Sequence, residues 1–136
     1  MRFSLTCFLV LVATSAVAQL EIIVKNIKND KGDVRVGLFK DKESFLKNAA
    51  YGKVVKSTKG ELKVIFDNLP DGTYGISVIH DENSNEKLDT NMIGIPKEGF
   101  GFGNNSMGTF GPPSFEKASV AVEPGKTSTS ISLKYF

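Results

Sequence analysis

The segment His80–Pro113, HDENSNEKLDTNMIGIPKEGFGFGNNSMGTFGPP, concentrates the residues of this chain that could do chemistry. Asp81, Asn83, Asn85 and Asp89 place side-chain oxygens at the first, third, fifth and ninth positions of an EF-hand-type loop, with the Lys87 carbonyl at the seventh. A hard cation such as calcium takes roughly six to eight oxygens, and this mixture of carboxylate, amide and carbonyl suits it. The sixth position is Glu86 rather than glycine, and the twelfth is Met92 rather than a bidentate glutamate. A weak calcium site would therefore draw another ligand from nearby, with Asn91 and Glu98 the closest. The competing reading is that Asp81, Asn83 and Asn85 form Asx-turns that shape a sharp exit from a strand.

The second half of the segment interleaves Phe100, Phe102, Phe110 and Phe115 with Gly99, Gly101, Gly103, Gly108 and Gly111. Glycine frees the backbone for tight curves, and the rings offer large apolar faces. A carbohydrate or a peptide of a partner protein could stack there. The chain has no Trp, the commonest stacking residue. The plainer reading is a second small core that pins the loop over an open end of the fold, offsetting its ordering entropy.

His80 is the only histidine, at the end of an alternating run that turns it to the same side as Tyr74. A hydrolase would use it with Asp81, Asp89 or Glu98 in a loop-lined cleft, and would need it to reach solvent. A buried His80 favours a binding module. A multi-histidine zinc site and Cys–His catalysis are excluded by the single histidine and by a cysteine confined to position 7. Ser106 lies outside any G-x-S-x-G elbow. Gly125-Lys126-Thr127-Ser128 has Val120 where a phosphate loop needs its first glycine. No recognisable catalytic motif remains.

The elements that must position these residues are strands. Apolar and polar residues alternate at Leu20–Ile27, Val34–Leu38, Leu62–Phe66, Tyr74–Val78, Ala118–Val122 and Ile131–Tyr135, and a shorter strand fits Val54-Val55. Asn29–Gly32 is expected to turn the first two strands into a hairpin, and Asn68–Gly72 to form a tight turn with Gly72 at positive φ. Asp41 is placed to cap a short helical turn over Lys42–Asn48, with Phe45, Leu46 and Ala49 inward. Six to seven strands with one long loop over 81–113 indicate an all-β, immunoglobulin-like sandwich. Loops of that length are generally functional.

Met1–Ala18 reads as a signal peptide: Arg2, an apolar run, and Ala16-Val17-Ala18 as a cleavage site. Cys7 sits at the front of the run, not at its end where a lipid-attachment cysteine belongs. Cleavage takes 18 of the 136 residues and leaves 118, one cysteine-free β-sandwich domain over 19–136, periplasmic or secreted and without a stable membrane span. The formal charge then falls from +2 to +1, giving no field for nucleic acid. The aromatic end Ile131–Phe136 imitates the last strand of an outer-membrane barrel, but lysine-rich segments interrupt the bands that would face lipid.

The run VIFDNLPDGTYGISVIHDENSNEKLDTNMIGIPKEGFGFGNN, with FGPPSFEKASV after it, resembles the secreted bacterial domain-of-unknown-function family 2141. Its N-L-P-D-G-T-Y turn is also similar to transthyretin-like and carboxypeptidase-regulatory-like sandwiches. The resemblance implies a small exported sandwich and brings no established activity. Glu86 departs from it, since glycine is common there. The expectation is an exported, non-catalytic binding or accessory domain, its loop shaped by weak calcium binding or by Asx-turns. Its working surface would be His80, Glu98 and the four loop phenylalanines. The hydrolase stays as the alternative.

Overall fold

The computed structural model describes residues 2–4, 6–11 and 17–136. Eight strands follow in order: β1 Val17–Ile27, β2 Asp33–Phe39, β3 Tyr51–Lys56, β4 Gly60–Pro70, β5 Gly72–Asp81, β6 Phe100–Phe102, β7 Ser119–Val122 and β8 Gly125–Ser132. They form two sheets, one of three strands in the order β4-β1-β8 and one of five in the order β3-β2-β5-β6, with β7 also pairing β5. This is an all-β sandwich. Val17 and Ala18 of the expected cleavage motif pair with Pro70 and Leu69 at the start of β1, whereas Ala16 lies outside the described residues.

The core lies between the sheets and follows the period-two pattern. Leu20, Ile22 and Val24 of β1 face Val34, Val36 and Leu38 of β2 and Tyr74, Ile76 and Val78 of β5, all buried. Each such side chain contributes about 1.5–3 kcal/mol on leaving water. β1 is antiparallel to β4 and parallel to β8, and a bulge between Val24 and Ile27 puts Asn26 at φ 60. The Asn26 carboxamide donates to the Leu133 carbonyl (2.7 Å) and so holds the end of the chain.

The expected first hairpin is not one. β1 belongs to the smaller sheet and β2 to the larger, so the turn at Asn29–Gly32 steps between layers. The connections β3–β4, β4–β5 and β7–β8 do the same. Alternation shows which side of a strand is wet, but both sheets bury the same kind of face. A short turn can therefore fold back within a layer or cross to the other one (about 10 Å away) with no change in pattern. Gly72 does take a positive φ, 154°.

The capped helix at 42–48 is also replaced. Asp41 Oδ1 accepts the Ser44 N–H (2.8 Å) as an N-cap would, and the Asn48 N–H reaches the Ser44 carbonyl (2.9 Å). Leu46 then turns to φ 61 and stops the winding, leaving Leu46 and Ala49 exposed. Phe45 alone packs inward, edge-on to Phe39 and Phe115 with ring centroids 5.3 and 5.9 Å apart.

The crossing at Gly32 has no tolerance for a side chain. Its φ is 64°, and a Cβ there would lie 2.0 Å from the Asp81 carbonyl oxygen. Gly60 also has positive φ (97°), but open space around it. In urea melts, Gly32→Ala should therefore cost about 3 kcal/mol or more, from strain and a backbone clash, while Gly60→Ala should cost only about 1 kcal/mol. Equal losses would mean that the close approach at Gly32 is misplaced.

Candidate functional site

The outer face of the larger sheet organises everything beyond the sandwich. Pairing puts Arg35, Gly37 and Phe39 of β2 opposite Ile79, Ser77 and Gly75 of β5, and Phe100 and Phe102 of β6 opposite Ile79 and Ser77. An outer face bearing Phe39, Ile79, Phe100 and Phe102 cannot stand bare in water. The stretch 81–113, expected as one loop, is cut by β6 and by the 3₁₀ turn Gly103–Asn105 into two lobes. These fold over this face, not over an open end of the sandwich. Phe100, Phe102 and Ala118 form a second buried cluster, with Phe45 and Leu88 against it.

The glycines of G-F-G-F-G serve close approach, not curvature: none of Gly99, Gly101 and Gly103 has positive φ. A Cβ on Gly99 would lie 2.4 Å from the Tyr135 ring, on Gly101 2.7 Å from Ile131 Cγ2, and on Gly103 2.1 Å from the Ala118 carbonyl oxygen. The strand thus presses its glycine side onto the core and the C-terminal segment, and turns its phenylalanines outward.

The first lobe closes on its own donors. Asp81, fully buried, accepts Arg35 Nε (3.1 Å) and the Glu86 N–H (2.8 Å) on Oδ2 and the Asn85 N–H (3.2 Å) on Oδ1. Asn83 Oδ1 takes the Asn85 N–H (3.3 Å), and Asn85 Oδ1 takes the Lys87 N–H (3.0 Å), two successive Asx-turns. The carboxamide nitrogens of Asn83 and Asn85 donate to the two oxygens of Asp89 at 2.6 and 2.7 Å. Glu98, buried, closes the neck by accepting the Glu82 N–H (2.6 Å) and the Asp89 N–H (3.0 Å). Glu86 keeps the left-handed backbone of the glycine it replaces, at φ 68, with its carboxylate 3.5 Å from Arg35 Nη2.

These contacts bear on the calcium expectation. Asp81, Asn83, Asn85 and Asp89 do come together, and Lys87 contributes a backbone N–H to the turn. Around Asp89 the amides present N–H groups, and a guanidinium already sits on Asp81. Arg35 occupies Oδ2 of Asp81, and Oδ1 takes only the Asn85 N–H at 3.2 Å. Among the described residues, no group of three or more His, Asp, Glu or Cys is placed to hold a metal ion.

His80 is fully buried. Its Nε2 donates to the Lys31 carbonyl (2.7 Å), and Nδ1 shares a hydrogen bond with the Tyr135 hydroxyl (2.8 Å), which also accepts the Lys28 N–H (3.0 Å). It ties the crossing turn to the chain end and faces away from the loops. It is therefore not part of a loop surface.

Between the lobes and the sheet lies a concavity of about 900 Å³. Ile79, Phe100, Phe102 and Phe39 floor it, Leu88 and Ile95 wall it, and Ile93, Met107, Phe110 and Phe136 stand at its exposed rim. Of the expected surface residues, Phe100, Phe102 and Phe110 line this groove. Phe115 instead packs on Gly75 and Phe45, and Glu98 is spent in the neck. Sequence reasoning missed Phe39, Ile79 and Leu88. A signal was present: Leu38-Phe39 and Val78-Ile79 are apolar on both faces of their strands, which requires that both faces be covered.

Residues 22–130 match the family described as "Uncharacterized protein conserved in bacteria (DUF2141)". The chain belongs to this family. No curated protein and no solved structure matches it.

Two measurements test the loop. Hydrogen bonds from Asn85 and Asn83 hold Asp89 below its ordinary value, whereas burial pushes Glu98 above its ordinary 4.5, the nearby Asp89 carboxylate adding to the rise. A raised folded-state pKa contributes stability that is present below 4.5 and lost as pH rises through the raised value. Urea-melt stability of the wild type relative to the non-titrating Glu98→Gln variant should therefore decline over that window. A rise there would reverse the assignment. Secondly, with the lobe closed by its own donors, melting temperatures in EGTA and in millimolar calcium should agree. A calcium-dependent increase that Asp81→Ala abolishes and Asp71→Ala preserves would instead show a cation adding to the closure.

Proposed function

We propose that this chain is an exported, non-catalytic binding domain whose working surface is the apolar groove between the two lobes and the larger sheet. The observation that carries this reading is the groove itself: about 900 Å³, largely apolar, and built by three strands together with both lobes. Small-ligand sites fall in roughly the 300–1,000 Å³ range and are lined in this way. The exposed rim, with Phe110 wholly in solvent and Ile93 80% exposed, leaves apolar surface uncovered where a domain serving only its own fold would bury it.

The same geometry weighs against the hydrolase reading. His80 has both ring nitrogens engaged inside the core, and Asp81 is held by Arg35 away from the groove. Calcium is not required in this reading, because the lobe closes on its own donors. Export is supported by the pattern of Met1–Ala18 and by Phe3, Phe8, Leu9, Val10 and Leu11, which are exposed and outside both cores. No described helix is long and apolar enough to cross a membrane.

The test uses protein purified from its bacterial host, whose intact mass should place the first residue at Gln19. A neutral fluorescent probe such as N-phenyl-1-naphthylamine should bind one molecule per chain, and Ile79→Trp, which fills the floor, should weaken it about tenfold or more at unchanged melting temperature. Absence of saturable probe binding would leave the loops as a purely structural cover.

A further inference from the structure

We propose that the groove takes a single-chain amphiphile with an anionic head, the alkyl tail on Ile79, Phe100 and Phe102 and the head at Lys134; this rests on the groove being a ligand site. Charge is the first argument. Among the described residues Lys134 carries the one charged side chain that lines the groove, and no Asp or Glu side chain lies there to oppose an anion. Among the described residues its ammonium forms no salt bridge, and it stands 5.0 Å over the ring of Phe136, itself 69% exposed. An ammonium resting on a ring face keeps N–H donors free for an anion at the mouth.

The lining excludes the other classes. A carbohydrate requires convergent polar groups, and beyond Lys134 the mostly apolar lining offers only the hydroxyls of Ser77, Thr90 and Thr109. An extended peptide would need an open strand edge, but the edge at Phe100 is closed by Lys134, which exchanges two backbone hydrogen bonds with it at 3.1 and 2.8 Å. The edge of β5 is taken by β6 and β7. What remains is a ligand that gains mostly by leaving water, with one anionic group to orient it. The Phe100 ring, stacked on Phe136 with centroids 5.8 Å apart, joins the floor to the cationic mouth without a polar break. Met107 at the rim is unbranched and can follow chains of different shape.

The experiment is displacement of the neutral probe by octanoate, decanoate, laurate, dodecyl sulfate and dodecanol, all below their critical micelle concentrations. Carboxylate affinity should rise about fourfold per methylene from eight carbons to twelve, the ratio corresponding to about 0.8 kcal/mol per buried methylene. Laurate and dodecyl sulfate should both bind better than dodecanol. Lys134→Gln should remove that preference, weakening the two anions about five- to tenfold with dodecanol unchanged, and Lys134→Arg should keep it. Since Lys134 is exposed and its sheet contacts are made by the backbone, these variants should melt like the wild type. A probe that binds and that no anion displaces overturns the amphiphile while leaving the groove as a site. So does displacement with no dependence on chain length, or with no dependence on Lys134. A probe that does not bind at all overturns both.

Discussion

The arrangement outside the sandwich depends on one close approach, that of β6 to the C-terminal segment. Gly99, Gly101 and Gly103 each face a position where a Cβ would lie within 2.7 Å of Tyr135, Ile131 or the Ala118 carbonyl oxygen. Only hydrogen fits there, so the strand can lie flat on the core and bridge Phe100 to Lys134. With the glycine side committed inward, the two-residue period leaves Phe100 and Phe102 on the outer face. Those rings, together with Phe39 and Ile79, require a cover, and the lobes on either side of β6 supply it.

Polar closure makes the lobes affordable in entropy. A connection this long loses much conformational freedom on ordering, and the first lobe offsets that loss mainly through hydrogen bonds. Three carboxylates each accept at least two donors from within the lobe or from Arg35. Asp81 and Glu98 are buried, so every unmet acceptor there would carry a desolvation penalty. No buried side-chain nitrogen or oxygen among the described residues lacks a partner. The run whose spacing matches a calcium loop thus satisfies its own acceptors: that spacing delivers N–H groups to carboxylates.

His80 illustrates how a residue suited to chemistry can be consumed by architecture. It stands where β5 leaves the core, opposite Val34 of β2, and links the Lys31 carbonyl in the first crossing turn to Tyr135 near the chain end. Three distant parts of the sequence meet on one ring. The groove, by contrast, is lined mostly by apolar side chains, with the hydroxyls of Ser77, Thr90 and Thr109 and a single ammonium among them.

The sequence by itself determined what short-range physics controls. Alternation set the strands and the inward faces of Leu20, Val36, Tyr74 and Ile131, because a period of two can place only one side in the core. Turn chemistry set the positive φ at Gly72, and the Asp–Asn spacing announced an ordered polar turn at Asp81–Asp89. Burial of His80 was also legible from its register with Tyr74. Only the tertiary structure decided which layer each strand entered, since crossing turns and hairpins leave the same apolar pattern on either side. It likewise decided that the glycines in and flanking β6 serve contact instead of curvature, because that depends on what lies opposite: Ile131 and Tyr135 are thirty or more residues away in the chain. The groove belongs to the same class. Phe39, Ile79, Phe100 and Lys134 carry no shared motif, and their meeting on one face follows from strand pairing, which the distribution of apolar residues permits but does not specify.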